Sequence, residues 1–385
     1  MSPEHRATIY AFTQFLSVGA ATVYGGIWFT SKGLTPDQIG IINSAPVFVL
    51  LLLSIFLGRV ADRANDWRSV IVAGSLGAAL FSCGLFVSPS FLPILVFWSL
   101  ANIAYGGIGP VIDAAFTRFT ERRGTSYGAL RAWATIGYVV AVFATGPVMT
   151  AFGGGLFVAL YVGLSVLRAV AALGLPRFRG ESAAAAEGGA THLFHMLKPW
   201  LFLPLLAWAM IHSTNVSMMA FQAIYMKEHG VSENVIGYLI AAGAVGEAAV
   251  LYAFPWFKRH FAPQSLILIA GLTAVVRWAC FAQGPDMPWL VPLQLLNAIT
   301  YGVGFLGVMA FITKWTAEDM AAEAQSFLGV VQQVMVILMV TGFGYLYTAF
   351  GAQAFFASMA MALVAVIVLL ATGRLAPAPA AAARG

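Results

Sequence analysis

The sequence predicts an all-α polytopic membrane protein with 12 transmembrane helices, arranged as two parallel six-helix repeats. Three observations predict this class. Of the 385 residues, 60% are apolar and only 9% are charged, whereas about 25% of an ordinary soluble domain is charged. Apolar runs long enough to cross about 30 Å of hydrocarbon recur along the whole chain. The two halves of the chain also contain matching segments. Because a soluble globule cannot bury this much apolar surface, soluble classes of protein are excluded.

The predicted spans are separated by glycines, prolines and short charged turns, which are typical of the connections between helices. The spans lie near residues 7–29, 37–59, 69–87, 91–117, 126–151, 154–174, 199–226, 234–257, 264–282, 288–313, 322–348 and 352–373. The first span is too long for the apolar core of a cleavable signal peptide, so we expect it to be retained.

The spans predict four regions. Residues 1–175 form an N-terminal six-helix half, and residues 199–373 form a C-terminal six-helix half. Residues 176–198 are rich in Ala, Gly and Glu and form a cytoplasmic linker, and residues 374–385 form a disordered cytoplasmic tail.

The positions of lysine and arginine predict the orientation. With the N-terminus inside, 15 of the 20 cations lie in inner segments, and only Lys32 and Lys227 lie in outer loops. This bias predicts that both termini are cytoplasmic, in a bacterial-type inner membrane. The formal charge of +5 is then a topology signal and gives no support to nucleic-acid binding. Arg168 lies near the inner end of its span, so we expect its side chain to extend to the interface.

Several segments of the chain repeat at a spacing near 197 residues. Residues 33–40 (GLTPDQIG) match residues 230–237 (GVSENVIG), and residues 151–153 match residues 349–351. An even number of helices in each half preserves orientation. The halves are therefore predicted to be parallel repeats related by an axis along the membrane normal, which resembles the major facilitator superfamily. This resemblance implies a substrate site between the halves and transport by alternating access.

A short charged motif lies in the loop between the second and third predicted spans. Gly58, Asp62 and Arg63, followed by Arg68, resemble the glycine, aspartate and arginine signature of major facilitator transporters. A glycine permits close helix approach, and an aspartate beside a helix end can pair with an arginine when the inner side is closed. We assign these four residues to gating, and the alternative is a plain topology loop.

Two acid–base pairs lie within the predicted membrane. Asp113 and Arg131 lie roughly 8–10 Å from the inner ends of their spans, and Glu247 and Arg277 lie roughly 15–20 Å deep. Ionisable groups at such depth cost several kcal/mol unless they are paired. We therefore expect each pair to be functional, and the alternative for each is an ion lock that only joins neighbouring helices.

Three further polar side chains of the second half, His212, Asn297 and Gln332, lie at similar depth. For His212 the alternative is a neutral histidine bonded to a neighbouring hydroxyl. The side chains that we assign to substrate binding are Asp113, Arg131, His212, Arg277, Asn297 and Gln332.

The segments around these residues carry a more specific resemblance. The stretch from Asp113 to Arg131 is similar to the fourth and fifth helices of the phenylpropionate permease family, a relative of lactose permease in the oligosaccharide–proton symporter branch. In the second half, His212, the Gly246-Glu247 step and Arg277 are similar to the same permeases. The resemblance implies that Asp113 and Arg131 contact the substrate.

The tenth predicted helix departs from the lactose permease pattern. Asn297 and Thr300 stand where that permease has a histidine and a proton-carrying glutamate. Glu247 is then the midplane carboxyl left for proton coupling, together with Arg277.

From these residues we expect a monomeric symporter that imports a small organic solute, an aromatic or other carboxylate, with protons. Its expected partners are the small-molecule substrate, protons and the lipid bilayer, and it needs no cofactor beyond the proton gradient. A proton-coupled sugar or nucleoside permease and a drug efflux carrier are alternatives, because the fold does not determine substrate or direction. The sequence contains no His/Glu metal-ligand spacing, no nucleophile with a base and no phosphate-binding glycine loop, so we expect neither an enzyme nor a metal site.

Overall fold

All regular secondary structure in the described part of the chain is helical, apart from a single bridge residue at Asp66. The computed structural model describes residues 1–62, 66–125, 127–178, 197–316 and 321–372. The helices are α1 (Pro3–Gln14), α2 (Leu16–Ser31), α3 (Pro36–Asp62), α4 (Trp67–Cys83), α5 (Phe91–Gly106), α6 (Gly109–Arg123), α7 (Tyr127–Phe152), α8 (Phe157–Leu173), α9 (Pro199–Glu228), α10 (Glu233–Tyr252), α11 (Phe254–His260), α12 (Pro263–Ala282), α13 (Met287–Leu295), α14 (Gly304–Trp315), α15 (Ala321–Phe350) and α16 (Phe355–Thr372). A π-helical turn, Ala298–Val303, precedes α14.

Ten helical segments of the described residues are long and apolar enough to cross a membrane. This finding confirms the predicted all-α polytopic class. The longest candidate, Ala324–Thr372, has 49 residues and includes α15, a 3₁₀ turn at Gly351–Ala354 and α16. The number of 12 spans and the two six-helix repeats remain predictions.

The repeated loops adopt the same backbone turn. Gly33, between α2 and α3, has φ +76°, and Gly230, between α9 and α10, has φ +77°. A positive φ is readily available only to glycine, which explains the glycine at both positions. Gly153 and Gly351, which end the second repeated segment, also have positive φ, at +84° and +55°.

The chain divides into two compact units. The first consists of Met1–Ala186 and Met219–Ala241, and the second consists of Glu187–Met218 and Ala242–Gly385. The first unit therefore contains the C-terminal part of α9 and the N-terminal part of α10. The predicted halves, linker and tail remain predictions, and residues 179–196 and 373–385 lie outside the described residues.

Glycines let the helices of each unit approach closely. In the first unit, α7 crosses α1 at Gly137, where a Cβ would overlap the carbonyl oxygen of Phe12. In the second unit, a Cβ at Gly307 of α14 would lie 2.9 Å from the Cβ of Leu266 in α12. Lipid supplies no hydrophobic driving force between helices, so the helices associate through van der Waals packing. Small residues at these crossings allow that close packing.

Candidate functional site

The guanidinium of Arg277 lies at the centre of a buried polar network in the second unit. Arg277 is 1% exposed, and its Nη1 donates to Asn215 Oδ1 (3.0 Å), Asn297 Oδ1 (3.1 Å) and Thr300 Oγ1 (3.0 Å). Its Nη2 donates to Gln294 Oε1 at 3.4 Å, and its Nε is buried without a partner. The guanidinium carbon also lies 4.7 Å from the centroid of the Trp278 ring. Arg277 is thus held by neutral oxygens and an aromatic face.

Asn297 joins this network to the carboxylate of Glu247. Its Oδ1 accepts from Arg277, and its Nδ2 donates to Glu247 Oε2 at 3.3 Å. Glu247 is half-buried on α10. The side-chain amide of Asn297 therefore has one end on the cation and the other on the acid.

The backbone of the tenth predicted span explains this placement. Asn297 precedes the π-helical turn Ala298–Val303, which contains Thr300. A π-helical turn widens the helix locally and is frequent at functional sites. Here both Asn297 and Thr300 reach the guanidinium of Arg277, and the Thr300 hydroxyl also donates to Asn215 Oδ1 at 2.9 Å.

The predicted Glu247–Arg277 ion pair is replaced by a bridged arrangement. Among the described residues, the recorded ion pairs are Arg123–Glu4 and Lys227–Glu233, and neither involves Arg277. Glu247 and Arg277 both contact Asn297, whose amide lies between them. Their roles in coupling, and the role of Asn297 in substrate binding, remain predictions.

His212 lies in an aromatic stack beside the network. Its ring centroid is 5.9 Å from the Trp208 ring and 5.7 Å from the Tyr301 ring. Its Nδ1 is buried without a hydrogen-bond partner, so the bond to a neighbouring hydroxyl, which was the alternative interpretation, is not formed at that atom. Gln332 lies half-buried on α15, and the binding roles of His212 and Gln332 remain predictions.

Asp113 and Arg131 lie in the first unit without forming an ion pair. Asp113 Oδ1 accepts from the Tyr127 hydroxyl at 2.9 Å. The Arg131 guanidinium carbon lies 5.1 Å from the centroid of the Phe15 ring. The hairpin brings the two side chains to one region, but each has a different neighbour. Their contact with substrate remains a prediction.

Arg168 corrects the expectation that its side chain extends to the interface. It is 2% exposed and lies 4.1 Å from the centroid of the Tyr105 ring, and its Nη1 donates to Ser17 Oγ at 3.2 Å. The interface prediction was wrong because helices distant in sequence supply a hydroxyl and an aromatic face within the protein.

The loop predicted to gate the inner side is organised by Asp66. Gly58 and Asp62 lie in the last turns of α3, and Arg63 lies outside the described residues. Asp66 Oδ1 accepts from the backbone N–H groups of Arg68 (3.0 Å) and Phe178 (2.8 Å). The Nη2 of Arg68 donates to the Leu173 carbonyl at 2.7 Å. The start of α4 is thereby joined to the last residue of α8 and to the segment that follows it.

Sequence reasoning missed several of these residues, although signals for some of them exist. Asp66 immediately precedes an apolar helical segment, which is the position of an N-cap residue. Asn215 is one helical turn after His212, at the depth already assigned to polar groups. Gln294 lies one turn before Asn297. No local signal marks Phe15 as a neighbour of Arg131. Over the described residues, no group of three His, Cys, Asp or Glu side chains has an arrangement that could hold a metal.

Comparisons with known proteins place the chain among transporters. A family model described as MFS_1 like family matches residues 6–357. The chain is 25% identical over 376 residues to a probable 3-phenylpropionic acid transporter of Escherichia coli (strain K12), covering 95% of this chain and 96% of that one. It is 24% identical to a maltose permease of Geobacillus stearothermophilus, with 82% and 80% covered. It is also 24% identical to the nucleoside permease NupG of Escherichia coli (strain K12), with 87% and 84% covered.

Two solved structures show the same fold. The crystal structure of the nucleoside transporter NupG has a TM-score of 0.80 at 16% identity and covers 97% of this chain and 100% of that chain. The inward-facing, unoccupied structure of a bacterial homologue of the human lysosomal transporter Spinster has a TM-score of 0.76 at 16% identity and covers 97% and 96%.

Proposed function

The chain belongs to the MFS_1-like family, and from that premise we propose that it imports a small aromatic or other carboxylate together with protons, by alternating access. The predicted resemblance to major facilitator transporters and to the phenylpropionate permeases is confirmed. The chain is a multi-pass membrane transporter rather than an enzyme. The identity of the substrate and the coupling to protons are what we propose.

The observation that carries the proposal is the buried cation Arg277, linked to Glu247 through Asn297. In its recorded hydrogen bonds the Arg277 guanidinium donates to neutral oxygens, and an anion would stabilise a cation buried in this way strongly. Arg277 also has an unpartnered Nε. These features suit an anionic substrate group that binds to the network.

Coupling follows from competition for Arg277. In the empty carrier, Arg277 holds the Asn297 carbonyl oxygen, and the Asn297 Nδ2 donates to Glu247. Glu247 is ionised in this state of the proposed cycle. A substrate carboxylate that binds Arg277 displaces Asn297 and thereby removes the hydrogen bond to Glu247. An ionised carboxylate without a donor costs several kcal/mol at this depth, so Glu247 takes a proton. The loaded carrier then reorients with Glu247 neutral.

A proton-coupled sugar or nucleoside permease is the second candidate. The relatives include permeases named for maltose and for nucleosides. The amides of Asn215, Gln294 and Asn297 around Arg277 also suit ligands rich in hydroxyl groups. Competition between 3-phenylpropionate and a sugar or nucleoside for uptake separates the two candidates.

The remaining expectations complete the proposal. The carrier has 12 spans in two parallel six-helix repeats, with both termini cytoplasmic in a bacterial inner membrane. It acts as a monomer and uses the proton gradient as its energy source. Gly58, Asp62, Arg63 and Arg68 contribute to gating of the inner side.

The test of coupling is Glu247→Gln in proteoliposomes with an imposed pH gradient. We expect the variant to bind 3-phenylpropionate and to exchange it across the membrane, because the amide imitates protonated Glu247. It should not accumulate substrate or take up protons with it, as reported by an internal pH dye. Glu121→Gln, at an exposed position in the last helical turn of α6, is the control and should behave as wild type. Accumulation with proton uptake in Glu247→Gln would show that the coupling assignment is wrong.

A further inference from the structure

Two aromatic rings lie between two arginines in the first unit, outside the Arg277 network. Phe15 and Tyr105 form an edge-to-face pair with centroids 6.4 Å apart and planes at 90°. The Arg131 guanidinium lies 5.1 Å from the Phe15 ring, and the Arg168 guanidinium lies 4.1 Å from the Tyr105 ring. The order is therefore cation, ring, ring, cation.

Both rings lie where the backbone of a membrane helix is interrupted. Phe15 is the residue between α1 and α2, with φ −104° and ψ 3°. Tyr105 is the second-last residue of α5, which ends at Gly106, and α6 begins at Gly109. Irregular backbone at membrane depth is tolerated only where it is buried in protein or lines a cavity. In transporters, discontinuous helices commonly surround the binding site. Phe15 and Tyr105 are both partly exposed.

The two arginines differ in their access to a ligand. Arg131 is half-buried, and neither of the ion pairs recorded for the described residues includes it. Arg168 is 2% exposed, and its Nε is buried without a partner. Arg168 reaches only the Ser17 hydroxyl and the Tyr105 ring among its recorded contacts. The bond to Ser17 holds the guanidinium in place, and its cation–π contact with Tyr105 in turn favours one position of that ring.

We propose that Phe15 and Tyr105 form a subsite for the aryl ring of the substrate, with Arg131 at its accessible end and Arg168 as the positioning residue that holds Tyr105. This inference rests on the proposed transport of aromatic carboxylates and deepens it. An aryl ring can pack edge-to-face or offset against a fixed aromatic pair and gains energy beyond the area that it buries. A saturated ring of similar size has no π-system and gains only from burial, on this wall as on any other apolar wall. The subsite thus selects for aromatic character rather than for bulk.

The experiment compares two ligands, 3-phenylpropionate and 3-cyclohexylpropionate, for binding to the full-length carrier and for uptake by it. Wild type should prefer the phenyl compound by about 2- to 10-fold, the range expected for aromatic pairing. Tyr105→Leu should reduce that preference to about one, and Tyr105→Phe should keep it. Arg168→Gln should raise the KM for the phenyl compound without changing Vmax or the KM for the cyclohexyl compound. Arg168→Lys should restore part of the preference. Phe143→Leu, which removes an exposed ring of α7, is the matched control.

Each outcome decides between the subsite and a structural role. Equal weakening of both ligands in Tyr105→Leu and Arg168→Gln would overturn the subsite, because loss of packing does not distinguish the two rings. An unchanged preference in both variants would overturn it as well. If these variants fail to fold, Phe15→Leu gives the same comparison from the other ring. Wild-type carrier that takes up neither ligand would contradict the proposed function itself, which is a different failure from uptake without ring preference.

Discussion

The amide of Asn297 illustrates how one neutral side chain can connect two ionisable ones. Its oxygen and nitrogen are not interchangeable here, because the oxygen faces a cation and the nitrogen faces a carboxylate. Turning the amide over would place its nitrogen against Arg277 and its oxygen against Glu247. The donors of Arg277 therefore favour this orientation of the amide, and a change at either end of the amide affects the contact at the other end.

Replacing the Asn297 amide by a carboxylate should keep the contact with Arg277 and remove the hydrogen bond to Glu247. In Asn297→Asp, the new carboxylate pairs with Arg277 and presents an acceptor to Glu247, where a donor was. An anionic substrate then competes with a resident charge for Arg277. We expect the apparent KM for 3-phenylpropionate to rise at least about tenfold, which corresponds to about 1.4 kcal/mol. Uptake in proteoliposomes measures it.

A control distinguishes this effect from the cost of any new charge in the membrane. Asn43 donates only to a backbone carbonyl of its own helix, at 2.9 Å, in its recorded contacts. Asn43→Asp should lower the thermal midpoint of the protein in detergent because it adds a charge without a cation. It should leave the KM of the folded fraction unchanged. A wild-type KM in Asn297→Asp would contradict the bridging role.

The helical rise along the sequence identified several residues of the Arg277 network, but it did not predict which of them contact each other. Glu247, Arg277 and Asn297 are placed at one level by the helical rise alone. Their connectivity depends on a π-helical turn, which has no sequence signature in this stretch and changes which side chains face α12. For Arg168, depth near a helix end favoured the interface, and only the tertiary placement of Tyr105 and Ser17 reverses that expectation.

Interruptions of helices lie close to the three arginines of the predicted spans, Arg131, Arg168 and Arg277. The break between α1 and α2 lies at Arg131, the break between α5 and α6 lies near Arg168, and the π-helical turn lies at Arg277. Each break leaves side chains of one span free to turn toward a cation. The repeated loops, in contrast, were readable from sequence because glycine marks a backbone conformation directly.

The N-cap of α4 gives a prediction about the stability of a single helix. Asp66 accepts from Arg68 N–H and Phe178 N–H, so Asp66→Ala should remove both bonds. Loss of an N-cap costs about 0.5–2 kcal/mol. Asp66→Asn retains the accepting oxygen and should have a thermal midpoint close to wild type. Equal destabilisation of the two variants would mean that the charge of Asp66 matters and its capping does not.

The crossing of α1 and α7 gives a second prediction, about stability. A Cβ at Gly137 overlaps a backbone oxygen of α1, which cannot move without separating the helices. Gly137→Ala should therefore lower stability by about 1–3 kcal/mol, as overpacking does. Gly163 in α8 has no neighbouring atom within 4 Å of the equivalent position, so Gly163→Ala is the matched control and should be neutral. Thermal unfolding in detergent compares the two variants, and equal midpoints would contradict the close approach.

Contacts at the predicted outer ends of the helices bear on the transport cycle of the whole molecule. Within the first unit, Glu233 at the start of α10 accepts from Tyr24 of α2 at 3.3 Å and forms an ion pair with Lys227 at 2.7 Å. Thr150 of α7 donates to Asn234 at 2.9 Å. These contacts join α2 and α7 of the predicted N-terminal half to the start of the eighth predicted span. If the two halves alternate access, such contacts break once in every cycle.

Covalent linkage of that outer contact should therefore stop transport. With both native cysteines replaced (Cys83→Ser, Cys280→Ser), Thr150→Cys and Asn234→Cys joined by a short bifunctional thiol reagent should lose uptake of 3-phenylpropionate, and each single cysteine variant should not. The matched control is Glu4→Cys with Arg123→Cys, which replaces an exposed ion pair of 2.7 Å between α1 and α6. Both of these helices belong to one predicted half and move together, so linking them should leave uptake unchanged. Full uptake after linkage of positions 150 and 234 would mean that the outer contact persists through the cycle, and loss of uptake in the control pair would mean that the predicted half does not move as one body.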